Sequence, residues 1–350
     1  MAIYKDFNIQ PENSLVSSDV VTNVKDTVSS GMWADGAGSI TTFFTSSAQS
    51  ASSAVYYLDV YSKNPQSDST AKPQFSVAYG HFNGSGSAGA VGTDGLRASA
   101  TIYRQLANTL LGPNEEKFTF AGSGANVTPE YVYAISVARQ QLREKMDPGN
   151  WEIHISGSGN NKYKFIDDSA ATTNPTVNQG GRVFNVVSGS ISSGQANTKF
   201  EATEQPGGAF GLFYPDTGLI VLNGPVLGSP ASASLSASLS SNTEGDNTAK
   251  FFRKIKKANY FQARREEVIT SQHYFCRIPN KEYNFSSNPT FTSGSNGDFT
   301  VPTFYKNPKV FITQVGLYND DNELLAIAKL SKPLLKSYSR EAIIKVKLDF

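Results

Sequence analysis

Hydrophobic and polar positions alternate, rather than recur at helical spacing, over most of this 350-residue chain. The stretches 53–62 (SAVYYLDVYS) and 74–82 (QFSVAYGHF) mix β-branched and aromatic residues with partial period-two alternation, so each predicts a strand. The run 131–137 reads as a strand, 138–146 as a short helix stopped by Asp147-Pro148-Gly149, and 151–155 as another strand. From 163 to 223 the pattern is again β. There, 210–214 and 218–222 flank Pro215-Asp216-Thr217 and predict a tight hairpin, because proline presets the turn and Gly218 can take positive φ.

Two segments break this pattern. In 102–111, Ile102, Leu106 and Leu110 recur every fourth residue beside Tyr103 and Ala107, and Gly112-Pro113 supplies a stop, which predicts a helix. In 250–257, Lys250, Arg253, Lys254, Lys256 and Lys257 crowd around Phe251, Phe252 and Ile255 behind an Asn/Thr cap, giving a short basic helix. The low-complexity stretch 228–248 permits a weakly amphipathic helix through Leu235 and Leu239. Toward the C-terminus, Asn319-Asp320-Asp321-Asn322 joins two apolar runs as a hairpin. The last strand alternates Ile344, Val346 and Leu348 with Lys345, Lys347 and Asp349, so one of its faces is buried.

The fold class expected is α+β, predominantly antiparallel β with two or three short helices and an extended N-terminal arm. The expected division is an arm at 1–50, an α+β domain at 51–170, a β-rich insertion at 171–227, a low-complexity segment at 228–249, and a β-rich part at 250–350 packing with 51–170.

Composition narrows the function. Charged residues make up 17% of the chain, below the ~25% of average domains, and Ser, Thr, Asn and Gly fill the deficit. Thirty-one basic residues balance thirty acidic ones, for a net charge of +1. No long-range field gathers nucleic acid, and no specific nucleic-acid partner is expected. Cys276 is the single cysteine, so an internal disulfide is impossible. With His81, His154 and His273 as the three histidines, a Cys/His zinc site lacks material. The opening MAIYKDFNIQPENS has no apolar core of signal-peptide length, and no run approaches the roughly 18 apolar residues of a membrane span. Synthesis in a cytoplasm is the expectation.

Candidate chemistry is sparse. Gly84, Gly86 and Gly89 have the GxGxxG spacing of a phosphate loop, but without a convincing βαβ context a flexible turn is the better reading. His154, Glu115-Glu116 and Asp167-Asp168 are the acid/base candidates, and they form no recognisable constellation. Asp320, Asp321 and Asn322 lack the spacing of a calcium loop and read as a turn. No catalytic residue, cofactor or metal site is expected.

The phrases 281–289 (KEYNFSSNP), 312–337 (ITQVGLYNDDNELLAIAKLSKPLLKS) and 341–350 (EAIIKVKLDF), with IYRQLANTLL and MDPGNWEIHI, resemble structural proteins of T-even-like contractile-tailed bacteriophages of the cyanophage type. The resemblance implies a non-enzymatic virion component in the tail, with the baseplate as the expected position and a neck or head-surface position as the alternative. Its partners would be other tail proteins and copies of itself. The expected interface residues are Leu15, Val16, Val20, Val21 and Trp33 in the arm, Lys250, Phe251, Phe252, Arg253, Lys254 and Ile255 in the basic helix, and Ile344, Val346 and Leu348 in the last strand. A host-glycan-binding tail module is a further alternative, with Tyr56, Tyr57, Tyr61 and Trp151 as a sugar platform.

Overall fold

The computed structural model describes residues 20–46, 57–87, 97–122, 125–193, 209–229, 233–240, 246–285 and 289–349. Its elements are β1 (Val20–Gly31), β2 (Ser39–Ile40), β3 (Tyr57–Tyr61), β4 (Pro73–His81), α1 (Ala98–Leu110), β5 (Tyr131–Val137), α2 (Arg139–Leu142), β6 (Lys145–Ser156), β7 (Lys162–Asp167), β8 (Thr176–Asn178) and β9 (Gly181–Ser188). They continue with β10 (Gly211–Tyr214), β11 (Leu219–Asn223), α3 (Gly224–Gly228), α4 (Asp246–Ala258), β12 (Phe261–Ile278), β13 (Thr292–Ser293), β14 (Asp298–Phe299), β15 (Val310–Tyr318), β16 (Leu324–Lys336) and β17 (Ala342–Asp349). The class is α+β, dominated by antiparallel strand.

The chain divides into two compact units, one of Val28–Glu267 and one of Met1–Thr27 with Val268–Phe350. The expected boundaries therefore move. Strands on both sides of residue 170 share one sheet, since β7 pairs β9 and β11 pairs β5. Residues 250–267 belong to the larger unit, and the arm joins that unit from Val28 onward.

In the larger unit the strands run β12-β6-β7-β9-β10-β11-β5-β4-β3, each antiparallel to the next. The alternating residues of β4 and β5 place Phe75, Val77 and Tyr79 with Tyr133, Ile135 and Val137 in one core. Helix α4 adds Phe251, Phe252 and Ile255 to that core and packs on both β6 and β4. Strands far apart in the order therefore meet around one helix, so the sheet is strongly curled. On its other face α1 buries Tyr103, Ala107 and Leu110 against Val132, Leu212, Tyr214 and Val221. These lie at i, i+4 and i+7, whereas Ile102 and Leu106, which the sequence placed in the stripe with Leu110, are half-buried beside them.

Several local expectations change. Asp147-Pro148-Gly149 does not end an element but lies inside β6, where Gly149 takes φ 85° and the pairing with β12 shifts register. The stretch 233–240 is not helical. Ala233 and Leu235 are buried in the core while Leu239 is exposed. Strand β12 begins at Phe261, through a charged run the alternation does not flag.

In the smaller unit, β17 pairs the C-terminal half of β12 from Ser271↔Asp349 to Ile278↔Ala342. Ala342, Ile344 and Val346 are buried and their neighbours exposed, as the alternation predicts. Strands β15 and β16 form a separate two-stranded sheet, and the rings of Phe291, Phe299, Phe304 and Tyr305 cluster around the β13–β14 turn. Lys336 is fully buried. Its Nζ donates to the Asn280 and Glu282 carbonyls and to Asn284 Oδ1, fixing the loop after β12.

Candidate functional site

The spacing of α4 separates two faces. Phe251, Phe252, Ile255 and Ala258 are buried, while Lys250, Arg253, Lys254 and Lys257, at i, i+3, i+4 and i+7, line a groove of about 410 Å³. Its other walls are Ser156 at the end of β6 with Gly157 after it, and Ser234, Leu235 and Ser236 from the low-complexity segment. That segment is held in place by Asn247. Its Oδ1 accepts from the Ser238 N–H at 2.7 Å and its Nδ2 donates to the Ser238 carbonyl at 2.9 Å.

The groove is positive. Lys254 Nζ donates to the Ala233 carbonyl at 2.9 Å and Lys257 Nζ to the Gly159 carbonyl at 3.1 Å. Neither bond neutralises a charge. Asp246 is the carboxylate shared by Lys250, at 3.1 Å, and Arg253, at 3.4 Å. Burial and the neighbouring Lys257 hold the Lys254 ammonium below its ordinary value. Ser156 is 2% exposed, and among the described residues its hydroxyl has no hydrogen-bond partner.

Four of the five acid/base candidates make hydrogen bonds within the fold. His154 Nε2 lies 2.6 Å from Glu152 Oε1, whereas Ser190 Oγ donates to the opposite carboxylate oxygen at 2.9 Å, as does the Ile191 N–H. A nucleophile needs its base within hydrogen-bond reach, and here the carboxylate stands between serine and histidine. The buried Asp167 accepts from the Gly149 and Ser169 N–H groups at 2.9 Å each, and burial raises its carboxyl. Asp168 accepts from Asn185 through both backbone and side chain, and Glu115 accepts a long bond of 3.4 Å from the Gly112 N–H. Gly84 and Gly86 both take φ 78° in consecutive turns and Gly89 lies outside the described residues, while α1 begins only at Ala98. Gly84 and Gly86 thus sit in turns. Among the described residues no group of three His, Cys, Asp or Glu could hold a metal ion, and no helix is long and apolar enough to cross a membrane.

The expected interface residues separate by burial. Trp33 is 1% exposed and donates its indole N–H to the Phe261 carbonyl at 3.1 Å, so it anchors the core and not a docking face. Phe251, Phe252 and Ile255 are likewise core, leaving Lys250, Arg253 and Lys254 as the accessible side of that helix. Ile344 and Val346 are buried within their own unit and Leu348 is half-buried. Leu15 and Val16 lie outside the described residues, as do the side chains of Val20 and Val21. Trp151 is fully buried and Tyr56 lies outside the described residues, so the described part of the sugar platform reduces to Tyr57 and Tyr61. Reading α4 alone missed Ser156 and the 234–236 wall, because only the fold brings them to the helix. The basic i, i+3, i+4, i+7 series was the available signal.

A second surface belongs to the smaller unit. In the β15–β16 hairpin, Val315 pairs with Ala328 and Leu317 with Ala326 on one face, and Gly316 pairs with Ile327 and Tyr318 with Leu324 on the other. Apolar side chains thus stand on both faces, and Phe311 and Leu325 are 62% and 68% exposed. No family model, curated protein or solved structure matches the chain.

Proposed function

We propose that the chain is a non-enzymatic structural subunit of a contractile phage tail, placed in the baseplate and acting by docking between subunits. The observation that carries this reading is the exposed β15–β16 hairpin. A two-stranded sheet with water on both faces is marginal on its own, yet this one spans nine and thirteen residues and presents Phe311, Leu324, Leu325 and Ile327 to solvent. Exposed apolar surface of this kind marks an interaction site. The resemblance of 315–330 to segments of tail-associated proteins points the same way and covers the turn of the hairpin with the strand halves beside it. Partners are other tail proteins and further copies of the chain.

The test is quantitative mass spectrometry of purified phage particles before and after separating heads from tails. The reading requires the chain at fixed stoichiometry in the tail fraction. Its recovery with heads would move it to the neck or head surface, and its absence from particles would overturn the assignment.

A further inference from the structure

We infer that the basic groove on α4 receives the acidic turn of the β15–β16 hairpin from a second copy of the same chain. The inference takes the assembly reading as its premise and names one of its contacts.

Three observations carry it. First, the groove has unspent capacity for anions. Four cations line it, and Asp246 is the one carboxylate paired with them among the described residues. Second, the hairpin turn has the complementary chemistry. Asp320, Asp321 and Glu323 sit within four residues and are exposed, and among the described residues Asp320 and Asp321 make no ion pair. The turn is also preformed, since Asn319 Oδ1 accepts from the Glu323 N–H at 2.7 Å and its Nδ2 donates to the Glu323 carboxylate at 2.9 Å. A preorganised loop loses little entropy on docking. Third, turn and groove are different surfaces of one sequence. Their contact is heterologous, and such contacts repeat head to tail to build rings or filaments. The near-zero net charge fits a chain whose opposite patches meet one another rather than a polyanion.

The experiment is sedimentation equilibrium of the full chain at low and high salt. Wild type should associate with increasing concentration and dissociate near ~1 M salt, where the screening length falls to ~3 Å. Lys250→Glu with Arg253→Glu, and separately Asp320→Lys with Asp321→Lys, should each leave monomers. Mixing the two variants should restore association, because each then offers the other an opposite charge. Combining all four changes in one chain should restore it too. Asp320→Asn with Asp321→Asn, two exposed turn positions, should weaken association by about threefold to tenfold without lowering the melting temperature. This variant keeps the test valid if the groove reversal fails to fold.

A wild type that stays monomeric at every concentration would overturn the inference, as would reversals that leave the mass unchanged or a mixture that does not associate. Binding of a single-stranded oligonucleotide that is lost with the groove reversal, while the turn reversal leaves self-association intact, would overturn it in favour of a polyanion site. Absence of self-association in a chain that is present in tails would remove this contact alone. Self-association by a chain absent from particles would remove the tail assignment alone.

Discussion

The rings of Phe75 on β4 and Phe261 on β12 lie 5.2 Å apart at an interplanar angle of 78°, although β6, β7, β9, β10, β11 and β5 all stand between their strands in the sheet. The curl of the sheet brings them together, and Trp33 covers both, with ring centroids 4.8 Å from Phe261 and 5.9 Å from Phe75. This aromatic cluster closes the larger unit.

Trp33→Ala should therefore destabilise the larger unit by about 4 kcal/mol, as deletion of a buried aromatic does. Trp33→Phe should cost less, since a ring remains and mainly the bond to the Phe261 carbonyl is lost, about 1 kcal/mol. Urea titration followed by far-UV circular dichroism measures both. Equal losses for the two variants would contradict the role given to the ring.

Glu152 gives the acid response of the same unit. Burial alone would raise its carboxyl, but bonds from His154, the Ile191 N–H and Ser190 outweigh that and hold the group below its ordinary 4.5. A carboxyl depressed in the folded state stabilises the fold above its unfolded value, and the contribution is lost as pH falls through the folded value. Wild-type melting temperature should thus decline below about pH 4.5. Glu152→Gln should flatten that part of the profile and cost about 2 kcal/mol at neutral pH. Melting curves between pH 3 and 7 measured by calorimetry decide it, and parallel profiles for the two proteins would refute the assignment.

Lys336 plays the corresponding part in the smaller unit. Burial lowers its ammonium, partly offset by Glu282. A lysine lowered in the folded state disfavours folding at low pH and gives stability back as pH rises through its folded value. Lys336→Met should leave the Asn280 and Glu282 carbonyls and Asn284 Oδ1 without their donor, costing about 2 kcal/mol. Amide hydrogen exchange should then accelerate at 280–284. Unchanged protection there would show that the lysine does not hold the loop.

Gly218 closes the β10–β11 hairpin at φ 68°, and a Cβ there would lie 2.9 Å from Leu142 Cδ1. Gly218→Ala should cost at least ~1 kcal/mol from backbone strain and crowding, a fall of about 2–4 °C in melting temperature for a unit of this size. A neutral outcome would mean that Leu142 and the turn relax together.

The sequence was legible where local chemistry decides structure. The helix α1, the proline-glycine turn after β10, the basic face of α4 and the alternation of β17 all appear in the fold, although the buried face of α1 runs through Tyr103 and Ala107 rather than Ile102 and Leu106. Legibility failed where tertiary pairing overrides local signals. Asp147-Pro148-Gly149 has turn composition yet stays in β6, because β6 pairs β12 on both sides of a register shift. The charged start of β12 hides a strand whose Arg264 and Arg265 donate to Ser29 and Ser30 of β1. Of the groove, the cationic side was readable as a helical series. Ser156 and the 234–236 wall were not, since they reach α4 only through the curl of the sheet and the Asn247 clasp. Trp33 misled for a related reason: an aromatic in a polar, glycine-rich segment looks like a surface anchor until β4 and β12 close over it.

Cryo-electron microscopy of the intact particle tests the central claim most directly. The account predicts density for this chain in the tail baseplate, repeated around the tail axis, with the β15–β16 hairpin buried against a neighbouring subunit. A hairpin left in solvent within the particle, or no density for the chain at all, would contradict it.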